Sequence, residues 1–226
     1  MKTLISIKKS TIACLLAALT LCPVFTSCTK KNDTIVFEGK IFDNQLNINV
    51  QNAKVSIYTK YLDSGVYNQN FKVSGSATTD EQGNYSIEID KHNFTEVYIE
   101  VEKEGYLASQ QNIDIDFLGS NNTVSTNLTI LPLAEITLKV RNQTQYSNTD
   151  YISYQFTNQS INCESCCNNL PNYGIGKTFY AEQNCIVIGN SWVKIFWGVE
   201  IAGSSYSKTD SVFCNAFENT VFEIVY

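Results

Sequence analysis

Histidine, proline and methionine are nearly missing from this chain. Its 226 residues hold one histidine, three prolines and one methionine. The single histidine, His92, sits in "DKHNF" between two strand-like runs and reads as a solvated turn residue. One histidine cannot make a His-Glu-x-x-His metallopeptidase site. The chain also has no Gly-x-Ser-x-Gly elbow and no phosphate-cradling glycine loop. With these constellations missing, the expectation is a non-catalytic protein; a hydrolase with a site of unrecognised form is the alternative. Basic charge is short as well, with 16 Lys and Arg against 22 Asp and Glu and a net charge of −6. An acidic chain is a poor candidate for nucleic-acid binding, which rewards basic patches, and no nucleic-acid partner is expected. No segment of period 3.6 follows residue 30, and alanine is scarce beyond the N-terminus. What remains abundant is Tyr, Phe, Val, Ile, Thr and Asn, a bias toward strands.

The N-terminus is the one oily stretch. Lys2, Lys8 and Lys9 precede an apolar heart from about Thr11 to Leu21, and Pro23, Thr26 and Ser27 follow it. A basic start, a short apolar run and small residues before a break read as a secretory signal. A spanning helix needs about 20 mainly apolar residues, and this run is barely long enough. "FTSC", residues 25–28, resembles the lipobox of bacterial lipoproteins. By that resemblance residues 1–27 form the signal peptide, and Cys28 takes a diacylglycerol thioether and becomes the new N-terminus. One acyl chain binds a bilayer marginally, whereas two or three hold firmly. The alternative is an ordinary signal with an incidental cysteine. Residues 28–33 then form a polar, lipidated tether. Losing the leader removes three lysines and no acids, and moves the net charge from −6 to −9.

From residue 34 the pattern is alternation. Ile35 and Phe37 oppose Val36 and Glu38; Val55 and Ile57 oppose Lys54, Ser56 and Tyr58. Tyr85, Ile87 and Ile89 oppose Ser86, Glu88 and Asp90, and Val97, Ile99 and Val101 oppose Glu96, Tyr98, Glu100 and Glu102. Period-2 runs between polar turns predict an antiparallel sandwich with one wet face per sheet. In "TTDEQGNY", Asp80 suits an Asx-type turn and Gly83 a positive φ. The stretch 60–76 reads as a long loop or a loop with its own edge strand. Asp114 and Asp116 are expected on one side of a strand, facing solvent, with weak calcium binding as the alternative.

Three pieces, "VQNAKVSIY" (50–58), "ATTDEQGNYSI" (77–87) and "YIEVEKEGY" (98–106), together resemble the carboxypeptidase regulatory-like, transthyretin-like family of β-sandwiches. The matching positions are Ala53; Thr79, Asp80, Gly83 and Tyr85; and Lys103, Gly105 and Tyr106. The resemblance covers residues 34–133. It implies an accessory or adhesive module without shared catalytic residues, in which Tyr85 and Tyr106 serve packing.

A second, different β-sandwich is expected over 134–226, restarting after Pro132. The fold class is thus all-β, two tandem Ig-like or transthyretin-like sandwiches behind a lipoprotein signal. In "SWVKIFWGVEI", Val193, Ile195, Trp197, Val199 and Ile201 share the core face, and Trp192, Lys194 and Phe196 the other. Trp192 and Phe196 are candidate ligand contacts, because aromatic faces suit the C–H patches of sugar rings. The competing reading has both covered by a loop or by the first domain.

After Cys28 come Cys163, Cys166, Cys167, Cys185 and Cys214, all in the second domain. Outside the cytosol disulfides are the default, and five thiols allow two bridges and one free group. A bridge from the 163–167 cluster to Cys185 closes a loop of about 20 residues, contributing about 3 kcal/mol by chain entropy. A zinc site built on Cys163-x₂-Cys166 with Cys185 or Cys214, or free buried thiols, are the alternatives. No metal and no cofactor is assigned. "DTI" (33–35) and "DSV" (210–212) resemble the Asp-Ser/Thr-apolar O-glycosylation acceptor of Bacteroidetes, with Thr34 and Ser211 as acceptors.

The sequence thus points to an outer-membrane lipoprotein of Bacteroidetes type, anchored by lipid on Cys28. It is expected at the cell surface, the periplasmic face being the alternative. Its role would be a binding, adhesion or structural module for a glycan or an envelope protein. An accessory glycan-binding subunit of a polysaccharide-capture system is the runner-up.

Overall fold

The computed structural model describes residues 33–226 except positions 64, 65, 68, 121 and 162. The leader, Cys28 and most of the tether lie outside the described residues. The described chain is all-β apart from one short helix.

The first half begins with β1 (Thr34–Asp43), which pairs antiparallel with β6 (Asn84–Asp90) and, at its far end, with the short β2 (Ile48–Asn49). On its other edge β1 pairs parallel with β10 (Thr123–Ser125) and then β11 (Leu128–Thr129). The facing sheet centres on β3 (Lys54–Asp63) and β7 (Asn93–Glu102). It is extended by β4 (Val66–Tyr67), β5 (Lys72–Thr78) and β9 (Ser109–Ile113). The 60–76 stretch is therefore the end of one strand plus edge strands. The inward alternates Ile35, Phe37, Val55, Ile57, Ile87, Ile89, Ile99 and Val101 form one buried cluster. Each such side chain contributes about 1.5–3 kcal/mol on burial, which fixes the register along every strand.

The second half packs β12 (Leu131–Arg141), β15 (Tyr180–Ile188) and β18 (Asn219–Val225) against a sheet ordered β14–β13–β16–β17. The latter strands are β13 (Tyr151–Phe156), β14 (Asn172–Ile175), β16 (Ser191–Ile201) and β17 (Ser204–Cys214). Their core holds Ile136, Leu138, Ile152, Phe156, Val187, Ile195, Trp197 and Ile224.

No linker separates the cores, and Asp33–Tyr226 groups as one unit. The expected restart after Pro132 is instead an unbroken strand. Leu131 and Pro132 of β12 pair with Leu107 and Tyr106 of β8 (Tyr106–Leu107), and the next residues pair with β15. Pro132 fits because its carbonyl accepts from the Gly189 amide at 2.7 Å, a role that needs no N–H. The Tyr106 ring packs against Phe217 at 5.3 Å, tilted by 59°, and the Phe217 amide donates to the Leu133 carbonyl at 2.7 Å.

The paired carboxylates also differ from expectation. Asp114 follows β9, and Asp116 lies in helix α1 (Ile115–Ser120). Asp114 accepts the Asp116 amide at 3.0 Å, so it caps a helix start rather than sharing a strand face.

Candidate functional site

The outward face of the β14–β13–β16–β17 sheet carries the candidate site. Period 2 puts Val193, Ile195, Trp197 and Val199 of β16 inside, so Trp192, Lys194, Phe196, Gly198 and Glu200 must face out. Trp192 is 59% exposed and Phe196 37%. Neither loop nor first domain covers Trp192. Four residues of strand separate them by about 13 Å. Register then adds neighbours. Phe213 of β17 lies opposite Trp192, with the rings edge-to-face at 5.5 Å. Tyr151 of β13 lies opposite Glu200, and Tyr173 of β14 opposite Ser153. Tyr151 and Tyr173 stack at 6.1 Å, and Tyr173 and Ile175 are exposed. One face thus has an aromatic pair at each end, Phe196 between them, and Ser, Thr and Gln in the gaps.

Hydrogen bonds brace the frame beneath. Asn158 donates its side-chain amide to the Trp192 carbonyl at 2.7 Å and accepts the Lys194 amide at 2.9 Å. On the inner side the Trp197 indole donates to Asp210 at 2.8 Å, and Lys208 pairs with the same carboxylate at 2.7 Å. Burial alone would raise the Asp210 pKa, but hydrogen bonds from Lys208 and Trp197 outweigh it and hold the carboxyl below its usual range. The turn at Ala202 (φ 52°) and Gly203 (φ 77°) is a two-residue hairpin of the primed class. The closing pair, Ile201 and Ser204, is then hydrogen-bonded. Alternation leaves the backbone groups of Ser205, Ser207, Thr209, Ser211 and Phe213 on the outer edge. Among the described residues β17 pairs only with β16.

The bridged cysteines lie at the opposite sheet. Cys163–Cys166 and Cys167–Cys185 are disulfides. Among the described residues Cys214, at the end of β17, is the unbridged thiol; it is buried, and desolvation raises its pKa. Cys166 bridges in parallel to Ile186, with Cys167 donating to the Ile186 carbonyl and Ile186 to the Ser165 carbonyl, both at 2.9 Å. The cysteine loop therefore covers part of the free edge of β15. Among the described residues no group of three or more His, Cys, Asp or Glu is placed to hold a metal.

In the first half, the residues carrying the family resemblance hold turns and packing. Thr79 accepts the Ala53 amide at 2.8 Å and donates to the Val50 carbonyl at 2.7 Å. Asp80 accepts the Gln82 and Asn84 amides at 2.9 and 2.7 Å, and Gly83 has φ 78°. Tyr85 is buried. Burial, with the Asp43 carboxylate near, pushes Tyr106 up to about 12. His92 stacks on Tyr61 at 4.5 Å beside an open cavity of about 610 Å³. Thr34 is the first residue of β1 and half-buried, not part of an exposed tether; Ser211 is exposed on β17, opposite Lys194.

The sequence marks Trp192 and Phe196 as outward-facing, as the structure has them, but not their neighbours Phe213, Tyr151 and Tyr173 or the gap at Gly198. Alternation within "DSVFC" puts Phe213 opposite in sense to Val212 and was a usable signal. Which strands lie side by side was not readable.

No family model and no curated protein matches the chain. Among solved structures, a candidate adhesin from Bacteroides ovatus is similar at 7% identity and a TM-score of 0.31, over 78% of this chain and 82% of that one. A streptococcal ancillary pilin is similar at 11% identity and 0.32, over 86% and 63%. A 9R-lipoxygenase from Cyanothece is similar at 14% and 0.33, over 43% of this chain, which spans only 16% of that one. At such scores these are distant likenesses, and the functional reading rests on this chain's own side chains.

Proposed function

We propose that this chain is a non-catalytic surface-binding module, and that the outer face of the β14–β13–β16–β17 sheet binds a glycan. Lipid on Cys28 would hold it to the outer membrane, with the carboxypeptidase regulatory-like half as the spacer next to the bilayer. The observation that carries the reading is the uncovered Trp192, which projects 59% exposed beside Phe213 on a strand whose other side is locked in the core. Aromatic faces offer apolar C–H contact, and interspersed hydroxyls and amides offer hydrogen bonds. A glycan array compares the soluble mature chain with a Trp192→Ala, Phe196→Ala double variant. Both side chains face solvent, so the fold survives, and affinity falls at least about tenfold. Unchanged binding by the variant, or no glycan bound by the parent, contradicts the reading. For the anchor, the mass of the native N-terminal peptide should include a diacylglycerol thioether on Cys28; a free thiol there contradicts it.

The open edge of β17 supports a second reading, in which an extended peptide adds as a further strand. Thr209→Pro removes one of the outer-edge donors that an added strand needs, and would weaken capture of such a peptide.

A further inference from the structure

Gly198 interrupts the row of outward side chains on β16. The backbone does not demand glycine there: its φ is outside the left-handed region. A Cβ added at Gly198 would meet Ser207 Cβ at 3.5 Å, the Tyr206 carbonyl oxygen at 3.6 Å and Ser153 Oγ at 3.8 Å, all ordinary contact. Glycine inside a strand costs stability and marks places where another group approaches closely. The gap is therefore a feature of the surface rather than of the fold.

Register surrounds it with polar groups. Ser153 and Ser207 flank Gly198 on the neighbouring strands; Glu200 and Ser205 lie one row toward the hairpin, Gln155 and Thr209 one row toward Phe196. The notch is about 370 Å³, with Tyr151 as its aromatic wall. Among the described residues, the side chains of these six polar neighbours make no hydrogen bond or ion pair with the protein. Four of them, Ser153, Glu200, Ser205 and Ser207, line the notch beside an aromatic ring, the composition of a sugar subsite: hydroxyl-directed groups around one apolar face. The one charge lining the notch is the carboxylate of Glu200, which would repel an acidic sugar and accept from the hydroxyls of a neutral one.

We propose that the Gly198 notch is a subsite for one neutral hexopyranose unit, with Tyr151 against the ring and Ser153, Ser205, Ser207 and Glu200 on its hydroxyls. This rests on the glycan reading of the same face and adds which sugars it takes.

Titration calorimetry with neutral manno-, cello- and galacto-oligosaccharides, and with oligogalacturonate, tests it. Gly198→Val fills the notch with a strand-favouring side chain, so the melting temperature holds or rises while neutral-sugar affinity falls at least about tenfold. Ser207→Gln crowds the notch from β17 without altering β16 and should give the same loss, which covers a misfolded Gly198→Val. Glu200→Gln should weaken neutral-sugar binding at least about threefold and raise oligogalacturonate binding at least about threefold, reversing the charge preference. If Trp192→Ala abolishes binding while Gly198→Val and Ser207→Gln bind like the parent, the face binds glycans and the notch proposal falls. If the parent prefers oligogalacturonate, the neutral-sugar assignment falls. If the parent binds none of the probes, or all variants bind as the parent does, both proposals fall.

Discussion

Tyr85 donates its hydroxyl to the Thr126 carbonyl at 2.6 Å, directly over Gly39 of β1. The contact holds the crossing where the parallel partner of β1 changes from β10 to β11. A Cβ at Gly39 would sit 1.9 Å from the Thr126 carbonyl oxygen, so the crossing exists only because Gly39 has no side chain. Gly39→Ala should destabilise by about 3 kcal/mol, at the upper end of overpacking, and Tyr85→Phe by about 1 kcal/mol. Urea unfolding of both variants checks the order.

The two disulfides should separate under mild reductant. Cys163 is exposed and its bridge spans three residues, whereas Cys167 is 1% exposed and its bridge spans 18. Alkylation followed by mass analysis should label Cys163 and Cys166 first, with Cys167 and Cys185 labelled only as the protein unfolds. Removing Cys167–Cys185 by paired serine substitution should cost about 3 kcal/mol, more than removing Cys163–Cys166, because the longer loop restrains more unfolded chain.

Stability should fall at both extremes of pH. Asp80 is held below its usual range by the Asn84 and Gln82 amides. For Asp150, burial works upward, but hydrogen bonds from Ser147, Asn142 and Tyr146 win and lower it. A lowered carboxyl contributes stability that is complete above the unfolded value of about 4 and is lost as pH falls through the folded value. Tyr106 and Tyr226 are pushed up to about 12, mainly by burial, with Asp43 near the first and Asp150 near the second. A raised phenol contributes stability that is complete below about 10 and is lost as pH rises toward 12. Thermal melts across pH should show a plateau between these limits. Tyr106→Phe should weaken the alkaline limb.

The Trp197–Asp210 hydrogen bond supports the ligand face from behind. Trp197 is 6% exposed, so Asp210→Ala leaves a buried indole N–H without its acceptor. The expected loss is about 1–3 kcal/mol in denaturant unfolding, with glycan affinity reduced less than by Trp192→Ala.

Much of this architecture was legible because a strand reports its faces residue by residue. The alternations in "NYSIEID" and "SWVKIFWGVEI" map directly onto buried and exposed sides of β6 and β16. Lateral order was not legible. Nothing local says that β12 lies beside both β15 and β18, or that Phe213 comes to Trp192. Asp114 and Asp116 differ from the strand expectation because "NIDIDF" alternates like a strand, while the Asp114 side chain accepts a backbone amide and turns the chain into a helix. Pro132 looked like punctuation, yet its residue position needs only an acceptor. Gly198 carries no local signal, because an absent side chain acquires meaning only when its neighbours on other strands are known.

The most direct measurement uses the two tryptophans. Trp192 stands on the face and Trp197 beneath it, so a nitrogen–proton NMR spectrum of the indole groups carries one reporter for each side of the sheet. Titration with a bound neutral oligosaccharide should move the Trp192 indole signal in proportion to saturation and leave that of Trp197 nearly still. Binding that moves neither signal, with its shifts confined to residues 33–130, would contradict the placement of the ligand face.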